Sequence, residues 1–499
     1  MPETSVERGD TSAEIWWPAE TQLLIDGRWV RASSERTFPI INPANKRVLT
    51  RVAEGDEADI NSAVSAARTA FEAGPWARMT TTQRGCLLDR LAELIERDAD
   101  MLARLETLDC GKPIRETTKT DVPSTIECFR FFAGTADKVY GETIPVQPDY
   151  STFTQREPLG VIGQIIPWNF PLLLAAWKLA PALAMGNTVV LKPAEETALS
   201  LIHLGELILE AGFPAGVVNI VTGPGPLAGR ALVNHPDVDK IAFTGSTAVG
   251  RDIVRASSAN MKRLGLDLGG KGPNLIFADA DLDAAVEGAL KGAFFNQGQV
   301  CFAGSRLLVA QEILSEFTEA FVERAQSILL GNPLDPLTRM GPVISQRHHD
   351  RVRNYLQQGQ LEGATLLCGG VTPGDALLEQ GYFIRPSVFA GVENGMTIAQ
   401  EEIFGPVVAI LSFTDEAEAI RLSNDTIYGL SAGVWTSDLK RAHRVTNALR
   451  AGTVWVNCFG KSDPALPFGG YKQSGYGRDQ GLEAAKAYTQ SKTVWVAIT

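Results

Sequence analysis

The sequence predicts an α/β protein whose centre is a parallel sheet covered by helices on both faces, and three observations predict it. From Pro158 onward, short apolar runs alternate with helical patterns, the signature of strands joined by crossover helices. Residues 188–191 and 217–221 read as strands, and residues 198–211 between them read as a helix with Leu201, Leu204 and Ile208 on one face. Residues 239–243 read as a further strand that runs straight into Thr244-Gly245-Ser246-Thr247 and a helix reaching residue 255. A strand entering a Gly/Ser turn and a helix start leaves backbone N–H groups free for a phosphate, which is a dinucleotide-binding arrangement. Finally, 499 residues exceed one ordinary core, so two or three domains are expected.

The earlier part of the chain reads differently. Residues 22–30 and 37–42 form short strands around the Asp26-Gly27 turn, and residues 57–73 and 84–106 form helices, with Leu87, Leu91, Leu94 and Ile95 at helical spacing in the second. Residues 121–137 are another helical candidate, opening near Pro123. Residues 150–155 and 493–498 alternate like exposed strands, and two lone strands so far apart suggest one small sheet built from both. Residues 1–17 are acidic and polar, without the basic and apolar regions of a signal peptide, and read as a loose leader.

Composition excludes several classes of function. With 46 Lys and Arg against 58 Asp and Glu, the net charge of −12 argues against binding a nucleic-acid backbone and favours a small-molecule partner. Six cysteines at 86, 110, 128, 301, 368 and 458 show neither CxxC pairs nor regular spacing, so no disulfide framework and no metal site is indicated, and reduced, cytoplasmic thiols are expected. The uncharged run 158–177 is broken by Gly160, Gly163, Pro167 and Pro171, with Asn169 in its middle, and reads as a buried strand and turn, not a membrane span. Gly223-Pro224-Gly225 has its third glycine at 229, one place late for G-x-G-x-x-G, and the P-loop-like run from Gly265 to Lys271 meets glycine at 272 where a Ser or Thr must bind magnesium.

Three stretches carry the strongest chemical signal: Ile166-Pro167-Trp168-Asn169-Phe170-Pro171, Leu266-Asp267-Leu268-Gly269-Gly270-Lys271, and residues 294–301 ending in Cys301 among small and neutral polar neighbours. With Lys192-Pro193-Ala194-Glu195, residues 243–246, Glu402-Ile403-Phe404-Gly405-Pro406 and Pro467-Phe468-Gly469-Gly470 in the same order, the chain resembles the aldehyde dehydrogenase superfamily over residues 20–496. The C-terminal block looks like the γ-glutamyl-γ-aminobutyraldehyde dehydrogenases. The resemblance implies an aldehyde dehydrogenase-like fold: a loose leader at 1–20, a dinucleotide-binding domain at 21–140 and 158–269, a catalytic domain at 270–470, and oligomerisation strands at 141–157 and 486–499, assembled as a homodimer or homotetramer.

An aldehyde has no leaving group, so oxidation by hydride removal needs a nucleophile that makes a tetrahedral adduct. The resemblance implies Cys301 for that role, and Asn169 with the Cys301 backbone N–H for the oxyanion. Asp267 stands where the family has a glutamate that activates the hydrolytic water, one methylene shorter, and Asp479 is a second such replacement. NAD is the implied cofactor, with Ile165, Ile166, Pro167, Trp168, Lys192, Glu195, Gly225, Phe243, Gly245, Ser246, Val249, Leu268, Glu402 and Phe404 around it. Glu195 would accept hydrogen bonds from ribose hydroxyls and repel a 2′-phosphate. Phe170, Trp177, Phe459 and Phe468 match aromatic positions of the aldehyde passage, and Asp121 and Asp463 match acids of aminoaldehyde-oxidising members. Two alternatives stay open: an acyl-CoA-forming enzyme of the same fold, and a family member that binds NAD without turnover.

Overall fold

A computed structural model describes residues 19–370 and 379–499. Most of the leader expected at 1–20 lies outside these residues; its last residue, Glu20, bridges Arg51. The described residues form two large sheets and two small ones.

The first large sheet has the order Gly475–Tyr476, Arg263–Leu268, Lys240–Gly245, Val161–Ile165, Thr188–Lys192, Val218–Ile220, Leu23–Ile25, Arg28–Val30. Its five middle strands are parallel. The strands at either edge pair antiparallel, so chain ends far apart in sequence close the sheet on both sides. Asp26 and Gly27 turn the first hairpin with positive φ at both positions (52° and 70°), the conformation that a two-residue hairpin demands.

The second large sheet runs Thr365–Gly370, Arg385–Ala390, Val407–Phe413, Arg306–Ala310, Pro273–Ile276, Ser431–Trp435, Thr453–Val456. It is parallel apart from its first strand. Only Gly269-Gly270-Lys271-Gly272 separates the last parallel strand of one sheet from Pro273–Ile276 in the other. The chain thus crosses between its two halves through glycines, at the carboxyl ends of the first sheet's strands. Ligands in open α/β sheets bind at such ends. The expected lone strands pair as Tyr150–Pro158 with Thr489–Ala497, over nine residue pairs.

Two elements differ from the sequence reading. Residues 84–106 are not one helix: Thr81–Arg97 and Ala99–Cys110 meet at Asp98, whose φ and ψ of −100° and 19° are not helical. Residues 171–177, within the run 158–177 read as a buried strand and turn, belong to the helix Pro171–Ala184, every residue of which is buried. A helix covered on all sides has no polar face, so its sequence carries no amphipathic period. Pro171 at its first position explains where it starts. Among the described residues no helix is long and apolar enough to cross a membrane.

Candidate active site

Cys301 follows a short segment of unusual backbone. Asn296 and Gln297 have φ of 47° and 56°, and Gly298 continues at 70°, so three consecutive residues are left-handed. That conformation is costly for any residue with a side chain, and it persists here because side-chain amides and neighbouring acids hold it from every direction. The Asn296 N–H donates to Glu116 (3.1 Å), the Asn296 side chain donates to the Asn169 carbonyl (2.9 Å), and Gln297 donates to the Gly111 carbonyl (3.3 Å). Gln299 accepts from the Ile344 N–H (2.9 Å). A Cβ at position 298 would lie 2.3 Å from the Gly405 carbonyl oxygen, so only glycine fits. The turn delivers Cys301 to a cavity of about 480 Å³ that Asn169, Asp267 and Glu402 also line.

Asn169 is bound to the same turn from the other side. Its side-chain N–H₂ donates to the Gln299 carbonyl (3.0 Å), which leaves its second N–H for the cavity. The segment before it is tied down by the Cys110 thiol on the Trp168 carbonyl (3.3 Å), and the helix after it by Glu106, which accepts from the Leu172 N–H (2.8 Å) and the Ser200 hydroxyl (2.7 Å).

Asp267 is buried, and neither of its carboxylate oxygens has a hydrogen-bond partner. Burial pushes its pKa up to about 7, with Asp479 and Glu402 adding to the rise and Lys178 opposing it. The Thr244 hydroxyl stands close enough to oppose it slightly, without the geometry of a formed bond. Lys178 itself is paired with Asp479 at 2.6 Å. Glu402 is likewise pushed up to about 7 by burial, although it accepts the Gly270 N–H at 3.0 Å. The two glycines are sterically required: a Cβ at 269 would meet Glu402 at 2.1 Å, and one at 270 would meet the Cys301 carbonyl at 2.4 Å. Burial, then Asp267 and Glu402, pushes the Cys301 thiol well above its ordinary pKa, against the Phe302 N–H directed at the sulfur.

The expected cofactor residues fall into two groups. Pro167, Trp168, Gly245, Ser246, Leu268, Glu402 and Phe404 line the Cys301 cavity. Phe404 has φ of 63°, and its carbonyl accepts from His348 (2.7 Å), a ring that burial holds near pKa 4 and therefore neutral. Lys192, Glu195 and Gly225 form a second cluster, with Lys192 to Glu195 at 3.4 Å and the Gly225 N–H on Glu195 at 2.6 Å. Side chains added at Gly225 or Gly229 would fill the space beside Glu195 and Lys192, the first carbon reaching within 3.6 Å and 3.7 Å of them. Ser246 caps the helix Thr247–Ser257 by accepting from the Val249 N–H (3.3 Å), and Val249 is exposed in its first turn. Ile165, Ile166 and Phe243 sit behind these groups: Ile166 donates its N–H to the Lys192 carbonyl, and the Phe243 ring supports Gly245, where a Cβ would come within 2.4 Å.

Of the expected substrate residues, Phe170, Trp177 and Phe468 pack in the aromatic cluster beside Cys301. Phe170 stacks on Phe295 (6.0 Å), Trp177 meets Phe468 (5.3 Å), and Phe468 meets Phe302 (6.0 Å). Phe459 corrects the expectation. It is wedged into the core of the second sheet, where side chains at Gly292, Gly304 or Gly433 would strike its ring within 3 Å. Asp121 is corrected as well: it is fully buried in an ion pair with Lys112, so it cannot stand at a tunnel mouth. Lys112 also lies over the Phe170 ring at 3.7 Å. Asp463 is exposed in a turn, accepting from the Ala465 N–H (2.8 Å).

Several participants escaped the sequence. Phe295 and Phe302 adjoin the cysteine segment and could have been read from it. His348 and Arg351 could not, because they lie on the helix Gln346–Leu361, which carries no motif and closes the cavity from the second half of the chain. Lys112 and Lys178 gave no signal beyond being lysines.

The aldehyde dehydrogenase family model matches residues 29–494. This chain belongs to the aldehyde dehydrogenase family. It is 53% identical to the human protein "Aldehyde dehydrogenase, mitochondrial" over 479 residues, covering 96% of this chain and 92% of that protein. It is 51% identical to human "Retinal dehydrogenase 2" over 480 residues, with the same two coverages. Among solved structures, the NAD+ complex of aldehyde dehydrogenase from Bacillus cereus superposes with a TM-score of 0.94 at 50% identity, over 96% of this chain and 97% of that one. The α/β fold with its dinucleotide-binding sheet, catalytic sheet and small sheet is therefore that of an aldehyde dehydrogenase, and the protein is an enzyme of that class.

The buried Lys112 generates a first prediction. Lys112→Met removes the cation paired with Asp121 from a cluster that also contains Glu106 and Asp109, and the loss of one partner from a buried pair costs about 3–5 kcal/mol. Urea unfolding should show a lower midpoint for Lys112→Met, with much of the loss recovered in Lys112→Met/Asp121→Leu; an unchanged midpoint would refute the account.

Proposed function

We propose that the enzyme oxidises an aldehyde to its carboxylic acid with NAD, through a thiohemiacetal and then a thioester on Cys301. The observation that carries this reading is the convergence of Cys301, Asn169, Asp267 and Glu402 on one cavity. Asp267 or Glu402, each poised near pH 7, can take the thiol proton as Cys301 attacks the carbonyl carbon. The free Asn169 N–H and the Cys301 backbone N–H would hold the oxyanion.

The residues fit NAD: the cavity reaches the N-terminus of Thr247–Ser257, and beside Glu195 and Lys192 the glycines at 225 and 229 leave room for a carbon at 3.6 Å and 3.7 Å. Glu195 and Lys192 would hold the adenine ribose, Ser246 would face the pyrophosphate, and Glu402 and Phe404 would hold the nicotinamide end. NAD held by these residues would supply the hydride acceptor that the oxidation needs. Asp267, unencumbered by any hydrogen bond, is then free to take a proton from the water that cleaves the thioester.

The aromatic rings of Phe170, Phe295, Trp177, Phe302 and Phe468 favour apolar aldehydes. Preference for an aminoaldehyde rests on the exposed Asp463 alone, since Asp121 is spent on Lys112. A panel of aliphatic, aromatic and amino aldehydes decides between them. Product analysis with and without coenzyme A decides against the acylating alternative. The proposed domain limits place 21–140 and 158–269 around the first sheet and 270–470 around the second; sheet membership supports this division except for Gly475–Tyr476, which joins the first sheet from outside these ranges. The two-stranded sheet, with Trp495 and Tyr150 exposed, is the proposed pairing surface of a homodimer or homotetramer. A reducing compartment such as the cytoplasm suits six free cysteines.

Three outcomes follow. Cys301→Ala should abolish aldehyde oxidation while leaving NAD affinity, read by fluorescence titration, within about twofold, because the thiol only borders the cofactor space. Glu195→Ser should raise the NADP to NAD ratio of kcat/KM by about tenfold or more, through loss of one repulsive charge. For Asp267, the active form is the carboxylate, so kcat should fall as pH drops through about 7. Asp267→Asn should keep a burst of NADH and lose the turnover after it; undiminished steady-state turnover would assign the water's proton to another group, Glu402 first.

A further inference from the structure

A second cavity, of about 270 Å³, lies at the opposite end of the same strands. The Cys301 cavity takes Gly245 and Leu268 from the carboxyl ends of Lys240–Gly245 and Arg263–Leu268, whereas this one takes Lys240 and Arg263 from their starts. Arg478, Asp479 and Tyr488 complete its polar lining, and the two cavities share no residue.

Its charge is unbalanced. Among the described residues, Lys240, Arg263 and Arg478 have no carboxylate within ion-pair distance; their hydrogen bonds go to the backbone carbonyls of Ala487 (2.9 Å), Thr489 (3.1 Å), and Gly470 and Gly477 (3.2 Å and 2.6 Å). Asp479, the one acid in the lining, is committed to Lys178. The Tyr488 hydroxyl, on a residue 1% exposed, has no partner at all, and its ring carries the Lys240 ammonium at 3.7 Å. A buried hydroxyl without a partner is uncommon in folded proteins, and a water or an anion drawn against it would satisfy it. Burial pushes Lys240 down to about 7, with Lys178 and Arg263 adding to the fall and Asp479 only partly opposing it, so a resident anion would restore its charge.

We propose that this cavity binds a small tetrahedral oxyanion, a free phosphate or the phosphate of a small monoester, between Lys240, Arg263, Arg478 and the Tyr488 hydroxyl. Two guanidinium forks, one ammonium and one hydroxyl offer donors in several directions, which suits four oxygens better than the two coplanar oxygens of a carboxylate. The site shares no lining residue with the Cys301 cavity.

Calorimetric titration with inorganic phosphate tests it. The holoenzyme is kept saturated with NAD so that the nucleotide cavity is filled, and ionic strength is held constant with chloride. Saturable binding is expected, weakened about tenfold in Arg478→Gln and abolished in Arg263→Gln/Arg478→Gln. Tyr488→Phe keeps the ring under Lys240 and should weaken binding severalfold without disturbing the fold. A small phosphate monoester in a parallel titration identifies the source by the tighter affinity. Absence of saturable phosphate binding, an affinity unchanged in both Arg478→Gln and Tyr488→Phe, or acetate binding as tightly as phosphate would each overturn the proposal.

Discussion

The left-handed turn at residues 296–298 is the constraint on which the rest of the site depends. Three residues in that conformation cannot be stable alone, and the protein surrounds the segment with donors and acceptors from three separate parts of the chain, Gly111 and Glu116, Asn169, and Ile344, while the Gly405 carbonyl leaves room only for glycine at 298. The same bonds that sustain the turn fix Asn169 against Gln299. Strain at the cysteine loop and placement of Asn169, the proposed oxyanion donor, are one structural problem with one solution. Such rigidity suits chemistry in which donors must already stand where charge will develop.

Beneath that turn lies a second expense. Glu106, Asp109 and Asp121 are fully buried around Lys112, and burial raises the pKa of each acid. Such clusters stabilise a fold poorly compared with apolar packing. Their value here is geometric, since Glu106 holds Leu172 and Ser200, Asp109 holds Leu199, and Lys112 covers Phe170. Each of these contacts fixes the start of a helix or a ring next to Asn169.

The glycines at 269 and 270 join these supports to the acids. They let the crossing chain pass between Glu402 and the Cys301 carbonyl with no room to spare, and so bring two carboxylates with raised pKa to the thiol. A shorter acid at 267 leaves both its oxygens unbound in that space. The Lys178–Asp479 ion pair lies between these acids and the basic cavity, which Asp479 also lines.

By itself the sequence determined the α/β class, the order of the parallel strands' segments, the pairing of two distant edge strands, and the candidate roles of Cys301, Asn169, Asp267 and Glu195. Those features are local: alternation, glycine turns and short motifs appear in consecutive residues. Only the tertiary structure decided that Pro171–Ala184 is a helix, because a helix buried on every side has no periodicity to read. It alone decided that Asp121 faces Lys112 and that Phe459 lies in a core, because a carboxylate or an aromatic ring looks the same in sequence whether it lines a passage or fills an interior. And it alone brought His348 and Arg351 to Cys301, since contact across two sheets depends on how their faces pack and leaves no mark in any one stretch of residues.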